Sequence, residues 1–78
     1  MPVLPRELRE HLMASSPEFQ RLAEEHSRYE TQLDQLTKQL YLNSEDLLLE
    51  IELKKRKLRV KDEMEQLVAR HERELARR

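Results

Sequence analysis

Apolar and aromatic residues recur in alternating steps of three and four along the middle of the chain, a spacing typical of a helix with a heptad seam. The seam comprises Phe19, Leu22, His26, Tyr29, Leu33, Leu36 and Leu40. Ser16, Pro17 and Glu18 precede it and form a helix start signal: a capping hydroxyl, a proline where no N–H donor is needed, and an acid near the positive helix end. The pattern predicts a first long helix over residues 17–41.

A second start signal follows at Asn43 and Ser44, because either side chain can cap a helix whose first turn carries Glu45 and Asp46. From there to Leu75 the chain is rich in Leu, Glu, Lys and Arg, and no residue breaks a helix. We therefore predict a second helix over residues 45–75. Since the chain has no glycine, Asn43 is also the best candidate for a left-handed turn conformation.

The two helices have matching apolar faces if the chain folds back at Asn43. With equal rise along both helices, residues whose numbers sum to roughly 86 then lie at the same level. The resulting pairs are Phe19 with Leu67, Leu22 with Met64, His26 with Val60, Tyr29 with Lys57, and Leu33 with Leu53, while Leu36 falls between Leu49 and Glu50. Lys57 can lay its methylene stem along the Tyr29 ring. The agreement predicts an all-α, antiparallel helical hairpin of coiled-coil type, with one long continuous helix in an extended coiled coil as the alternative.

A second set of apolar residues on the second helix, which we call the outer stripe, lies well over a hundred degrees around the helix from the seam. It consists of Leu47, Ile51 and Leu58, flanked by Leu48. A single hairpin leaves these side chains in water, and a chain this short rarely gains more than about 3 to 5 kcal/mol from its own core. We predict a two-fold homodimer that buries the outer stripe, as a four-helix bundle.

The segment over residues 1–15 carries its own short helical pattern. Leu4, Leu8 and Leu12 are spaced four apart, and Pro5 is suited to a first helical position. Such a helix can cover the part of the second helix that extends beyond the first, near Leu67 and Leu75. The whole chain, residues 1–78, is then a single small helical domain.

Composition narrows the function classes. Charged residues make up 40% of the chain, with 15 Lys and Arg against 16 Asp and Glu, so a large core is excluded and net charge favours neither nucleic acid nor an acidic substrate. Without cysteine there is no disulfide or thiolate site, and without glycine no phosphate-binding loop. No apolar run is long enough for a membrane span or a signal segment, so we expect a cytoplasmic protein with no membrane partner and no cofactor.

A basic run from Lys54 to Lys61 is the one candidate contact for a polyanion, through Lys54, Lys55, Arg56 and Arg59. Acidic residues lie at three- and four-residue spacings throughout this stretch, and no aromatic residue is interleaved for base stacking. A solvated, ion-paired helix face is therefore favoured over nucleic-acid binding. A nucleic-acid-associated accessory protein is the alternative function.

Enzymatic chemistry has little support in the sequence. Ser16 and Ser44 are explained as helix caps, and no nucleophile is placed beside a base. His26, at a seam position, is interpreted as a tolerated, partly exposed residue, although it can also fix helix register or respond to pH. His71 lies about 16 Å along the hairpin axis from the level of His26, which disfavours a zinc site. We predict a non-enzymatic module that binds itself, with another helical protein as the further candidate partner.

The chain resembles the YdcH-like family of short bacterial proteins over roughly residues 17–72. The residues that carry the resemblance are His26, Tyr29 and Leu33, then Tyr41, Leu42, Ser44 and Glu45, and above all the run Leu53-Lys54-Lys55-x-Lys57-Leu58-x-x-Lys61-Asp62-Glu63-Met64. The resemblance implies a small, self-associating helical hairpin with no established catalytic residues and no known function. The segment before Ser16 lies outside it.

Overall fold

The computed structural model describes residues 5–77, and this part of the chain forms three helices. These are α1 (Pro5–Ser15), α2 (Pro17–Thr37) and α3 (Ser44–Ala76). The prediction of an all-α protein is confirmed. Leu4, which the sequence pattern assigns to the short first helix, lies outside the described residues.

Ser16 alone separates α1 from α2. Its extended backbone, with φ −109° and ψ 110°, interrupts the helical conformation, and its side-chain oxygen accepts a hydrogen bond from the Phe19 N–H at 3.2 Å. The Ser16 N–H in turn donates to the Leu12 carbonyl at 2.8 Å, which completes the last turn of α1. Pro17 occupies the start of α2, where no N–H is required.

Helix α2 ends at Thr37, four residues before the predicted end at residue 41. The Gln39 N–H donates to the Leu36 carbonyl, so the last turn tightens and the chain leaves the helix there. Leu40 is consequently outside the helix and 93% exposed, so its assignment to the seam is wrong. The physical reason is that Leu40 lies in the connection, past the last turn of α2, where no other part of the described chain covers it.

Helix α3 begins at a reciprocal cap. The Asn43 Oδ1 accepts a hydrogen bond from the Asp46 N–H at 2.8 Å, and the Asp46 carboxylate accepts one from the Asn43 N–H at 3.2 Å. Asn43, the best candidate for a left-handed conformation, has φ −82°, and none of residues 5–77 has a positive φ. The connection over residues 38–43 is long enough to reverse the chain without such a residue.

Removing this cap gives a first testable prediction. We expect Asn43→Ala to lower the free energy of unfolding by about 1 kcal/mol, since it deletes the acceptor for the Asp46 N–H. Asn43→Asp keeps an acceptor at the same position and serves as the matched control. Urea unfolding followed by circular dichroism measures both, and an alanine variant as stable as the aspartate variant would contradict the role of the cap.

The three helices share one core at the end of the molecule opposite the connection. Helix α2 packs along α3, and α1 contacts both. At about 1.5 Å per residue α3 is about 50 Å long and α2 about 32 Å, and the longest dimension of the molecule is 54 Å. Helix α1 contacts α3 at the level of Glu65 and Val68, a length of α3 that α2 also reaches. The predicted cover of the overhang therefore includes Leu67 but not Leu75, which is 43% exposed, because α1 lies beside both helices rather than beyond the start of α2. The shared cluster consists of Leu8, Leu12, Phe19, Leu22, Val60, Leu67 and Val68.

The register of α2 on α3 is that expected of a helical hairpin. Phe19, near the start of α2, and Leu67, near the end of α3, belong to the same buried cluster. Glu30 of α2 lies within 3.3 Å of Lys57 of α3, at a level consistent with the predicted pairing. Closer to the connection, Leu33, Leu36 and Leu53 are buried as well.

Candidate self-association surface

The outer stripe is a group of four apolar side chains that α3 leaves in solvent. Leu47 is 49% exposed, Leu48 67%, Ile51 52% and Leu58 59%. Scattered exposed leucines are normal on protein surfaces, but here four large aliphatic residues lie on one side of a helix within about three turns, with Lys54 and Lys55 between Ile51 and Leu58.

Helix geometry explains why these residues face outward. The buried face of α3 is defined by Leu53, Val60 and Leu67, each seven residues from the next. Counted from Leu53 at about 100° per residue, the outer stripe lies about 120 to 220° around the helix. Because α2 covers one side of α3 only, this opposite side stays uncovered.

The outer stripe occupies only the half of α3 next to the connection. Continued at the same spacing, it reaches Asp62 and Glu65, which are exposed and charged. Glu65 lies 3.9 Å from the Arg9 guanidinium, so α1 is beside α3 at this level. The apolar surface therefore ends where α1 begins to cover the helix.

Three side chains of the basic run from Lys54 to Lys61 form ion pairs with carboxylates. Lys54 Nζ lies 2.8 Å from Glu50, and Arg56 Nε lies 2.9 Å from Glu52. Lys57 extends its ammonium across the hairpin to Glu30. Lys55 and Arg59 are exposed on the same helix. Three of the basic residues thus belong to ion pairs, in line with an ion-paired helix face.

Lys57 and Tyr29 each direct their polar group to a carboxylate. The Lys57 ammonium pairs with the Glu30 carboxylate, while the Tyr29 hydroxyl donates to Glu25 at 3.0 Å. Glu30 also lies 3.6 Å from His26 Nδ1, so one carboxylate is shared by two side chains across the hairpin face. His26 is partly buried and Met64 is packed against the core cluster.

A shallow groove between α2 and α3 is lined by hydroxyl and charged residues, and its two threonine hydroxyls are hydrogen-bonded to their own helix. The Thr31 hydroxyl donates to the Ser27 carbonyl, and the Thr37 hydroxyl donates to the Asp34 carbonyl. The Asp34 carboxylate accepts a hydrogen bond from Lys38 Nζ at 2.9 Å, which raises the pKa of that ammonium above its usual value. No hydroxyl in the groove is hydrogen-bonded to a histidine or carboxylate base.

Residues 5–77 hold no group of three His, Cys, Asp or Glu side chains placed to bind a metal ion. His71 Nδ1 lies 3.0 Å from the Leu67 carbonyl of its own helix. None of the helices in the same range is both long and apolar enough to cross a bilayer.

The model of a family described as "Protein of unknown function (DUF465)" matches residues 19–68. The chain belongs to the DUF465 family. This is the YdcH-like family, so the resemblance drawn from the sequence is confirmed. Neither a curated protein nor a solved structure matches the chain. The DUF465 match covers nearly all of α2, the connection and most of α3, and it includes every residue of the outer stripe.

Sequence reasoning missed one core residue in this DUF465 protein. Val68 is 6% exposed and belongs to the shared cluster, although the seam pattern stops at Leu67. The signal was present, because Val68 lies eight residues after Val60 and therefore on a neighbouring line of the same helix face. The wider buried face at this end of α3 accommodates α1, whose Leu8 and Leu12 lie outside the DUF465 match.

Proposed function

We propose that this DUF465 protein is a non-enzymatic, self-associating module, in which two copies bury their outer stripes against each other in a four-helix arrangement. The observation that carries the proposal is the half-exposed patch of Leu47, Leu48, Ile51 and Leu58 on the side of α3 that α2 does not cover. Among residues 6–77 the buried core consists of ten apolar residues, so four further aliphatic side chains are a large fraction of the burial available.

A second copy of the chain is the partner that these surfaces favour. A two-fold interface must be complementary to itself, which requires both charge signs beside the apolar patch. Glu50 and Glu52 flank the outer stripe together with Lys54 and Lys55, and the net charge of the chain is −1. Two identical surfaces of this kind approach each other without strong repulsion, and the apolar burial adds to the small core of each hairpin.

A non-enzymatic role is supported by the polar side chains, because several of them cap helices or bond to the backbone of their own helix. Ser16 and Asn43 cap helices, the hydroxyls of Thr31 and Thr37 bond to their own helix, and the groove between α2 and α3 is open and shallow. Catalysis needs a nucleophile or base held in an enclosed site, and a two-layer hairpin provides little concave volume.

Sedimentation of the wild type beside Ile51→Asp tests the proposal. We expect the wild type to sediment as a dimer at micromolar concentration, and Ile51→Asp to raise the dimer dissociation constant by about 100-fold or more, because an unpaired carboxylate would be buried in the interface. Gln35→Asp is the matched control, since it places the same charge on an exposed position of α2.

Circular dichroism must show that Ile51→Asp keeps its helicity, as expected for an exposed position of the monomer. A wild-type monomer at these concentrations would contradict the proposal.

A gel mobility shift at low salt tests the rival function, nucleic-acid binding. We expect no retention of duplex or single-stranded probes. Salt-dependent retention that is lost when Lys54 and Lys55 are reversed in charge would instead favour nucleic-acid binding.

A further inference from the structure

We infer that the two copies pair antiparallel along α3, with the two-fold axis at the level of residues 52 and 53. This inference rests on the proposed function, because it assumes that the outer stripe joins two copies of the chain. It adds the direction and the register of the pairing. These determine the shape of the dimer and the end of the dimer at which each α1 lies.

The positions of the apolar residues define the register. In antiparallel helices of equal rise, residues of the two copies whose numbers sum to about 105 lie at the same level if the axis is at residues 52 and 53. Leu47 then lies opposite Leu58 of the second copy, and Leu58 opposite Leu47. Ile51 packs beside the methylene stem of Lys54 from the second copy. Every member of the outer stripe falls within the overlap.

Lys54 distinguishes the two possible directions. It lies on the same helix face as Leu47 and Leu58, and its ammonium is 2.8 Å from Glu50 of its own chain. In the antiparallel register Lys54 also lies near Glu50 of the second copy, so two ammonium groups and two carboxylates alternate around the axis. In a parallel pair each residue lies opposite the same residue of the second copy. This brings Lys54 against Lys54 and, further along, Glu65 against Glu65.

The placement of α1 favours the same direction. Arg9 contacts Glu65, and Leu8 and Leu12 share a cluster with Val68, so α1 lies against the half of α3 remote from the connection. The antiparallel register overlaps α3 only over residues 44–61, since Ser44 at the start of α3 is level with residue 61 of the second copy. This is the half that α1 leaves uncovered. A parallel pair in contact along all of α3 would bring both copies of α1 together at one end.

Spin-label distances distinguish the two directions. The chain has no cysteine, so Arg73→Cys and Glu63→Cys each provide a single labelling site at an exposed position of α3. In the antiparallel dimer the two labels at position 73 are expected about 61 Å apart along the axis, and those at position 63 about 32 Å apart. A parallel dimer instead gives nearly equal distances at both positions, on the order of 10 to 25 Å, because the helix axes are about 10 Å apart.

Sedimentation of the same labelled samples separates the two possible failures. A dimer mass with distances near 61 and 32 Å supports the antiparallel register. A dimer mass with two short, equal distances overturns the direction but leaves the proposed self-association standing. A monomer mass with no distance between labels overturns both. Adding Ile51→Asp to the Arg73→Cys chain is the control, and it should abolish the intermolecular distance.

Discussion

Phe19→Ala is expected to leave a large fraction of the chain unfolded at 25 °C. Phe19 is 1% exposed and belongs to the cluster in which α1, α2 and α3 meet, so no neighbouring side chain can fill its place without moving a helix. Truncation of a buried phenylalanine costs about 3 to 5 kcal/mol. That is about the whole stability that a core of this size provides. Helicity and the urea midpoint, measured at one fixed protein concentration, check the result.

Tyr41→Ala is the matched control for Phe19→Ala. It removes an aromatic ring of similar size from a side chain that is 89% exposed in the connection. We expect it to change the free energy of unfolding by less than about 0.5 kcal/mol. Equal effects of the two substitutions would mean that burial of Phe19 does not hold the three helices together. Because a dimer is more stable at higher concentration, both variants must be compared with the wild type at the same concentration.

The helices and most of the buried face could be predicted from sequence. They depend on the capping residues at each helix start and on the seven-residue spacing of apolar side chains. Ser16 and Asn43 are caps by virtue of their own side chains, and each is observed in that role. The seven-residue spacing of Leu53, Val60 and Leu67 identifies the buried face of α3 without knowledge of the partner helix.

The connection could not be predicted in the same way, because its conformation depends on where the two helices stop facing each other. The heptad pattern continues through Leu40, so periodicity alone extends α2 to residue 41. The structure ends the helix at Thr37 and leaves Leu40 93% exposed in the connection. Val68 has the right spacing for the buried face, but the width of that face depends on the packing of α1 and α2 around this end of α3, which one helix pattern does not specify.

The outer stripe shows the limit of prediction for the candidate site. The sequence identifies Leu47, Leu48, Ile51 and Leu58 as a second apolar face, and the structure leaves them in solvent. The sequence pattern of one chain identifies the apolar residues that need to be buried, but it does not identify the surface that buries them. The direction of pairing that we propose rests instead on the placement of Lys54 and α1 relative to that face, which is visible only in the folded hairpin.

Leu12→Ala is expected to lower the free energy of unfolding by about 2 to 5 kcal/mol and to release α1 from the hairpin. Leu12 is 1% exposed, and an isolated helix of 11 residues is marginal in water, so docking is what keeps α1 folded. Its loss also exposes Leu67 and Val68 to solvent. Urea unfolding gives the change in stability, and amide hydrogen exchange should show lost protection throughout α1.

Met13→Ala is the control for Leu12→Ala, because it shortens the next side chain of the same helix where 45% of it is exposed. It should leave both the urea midpoint and the protection of α1 close to those of the wild type. If Leu12→Ala also behaves like the wild type, α1 is not part of the core. In that case the hairpin that matches the DUF465 family is stable by itself, and the end of α3 needs no cover from α1.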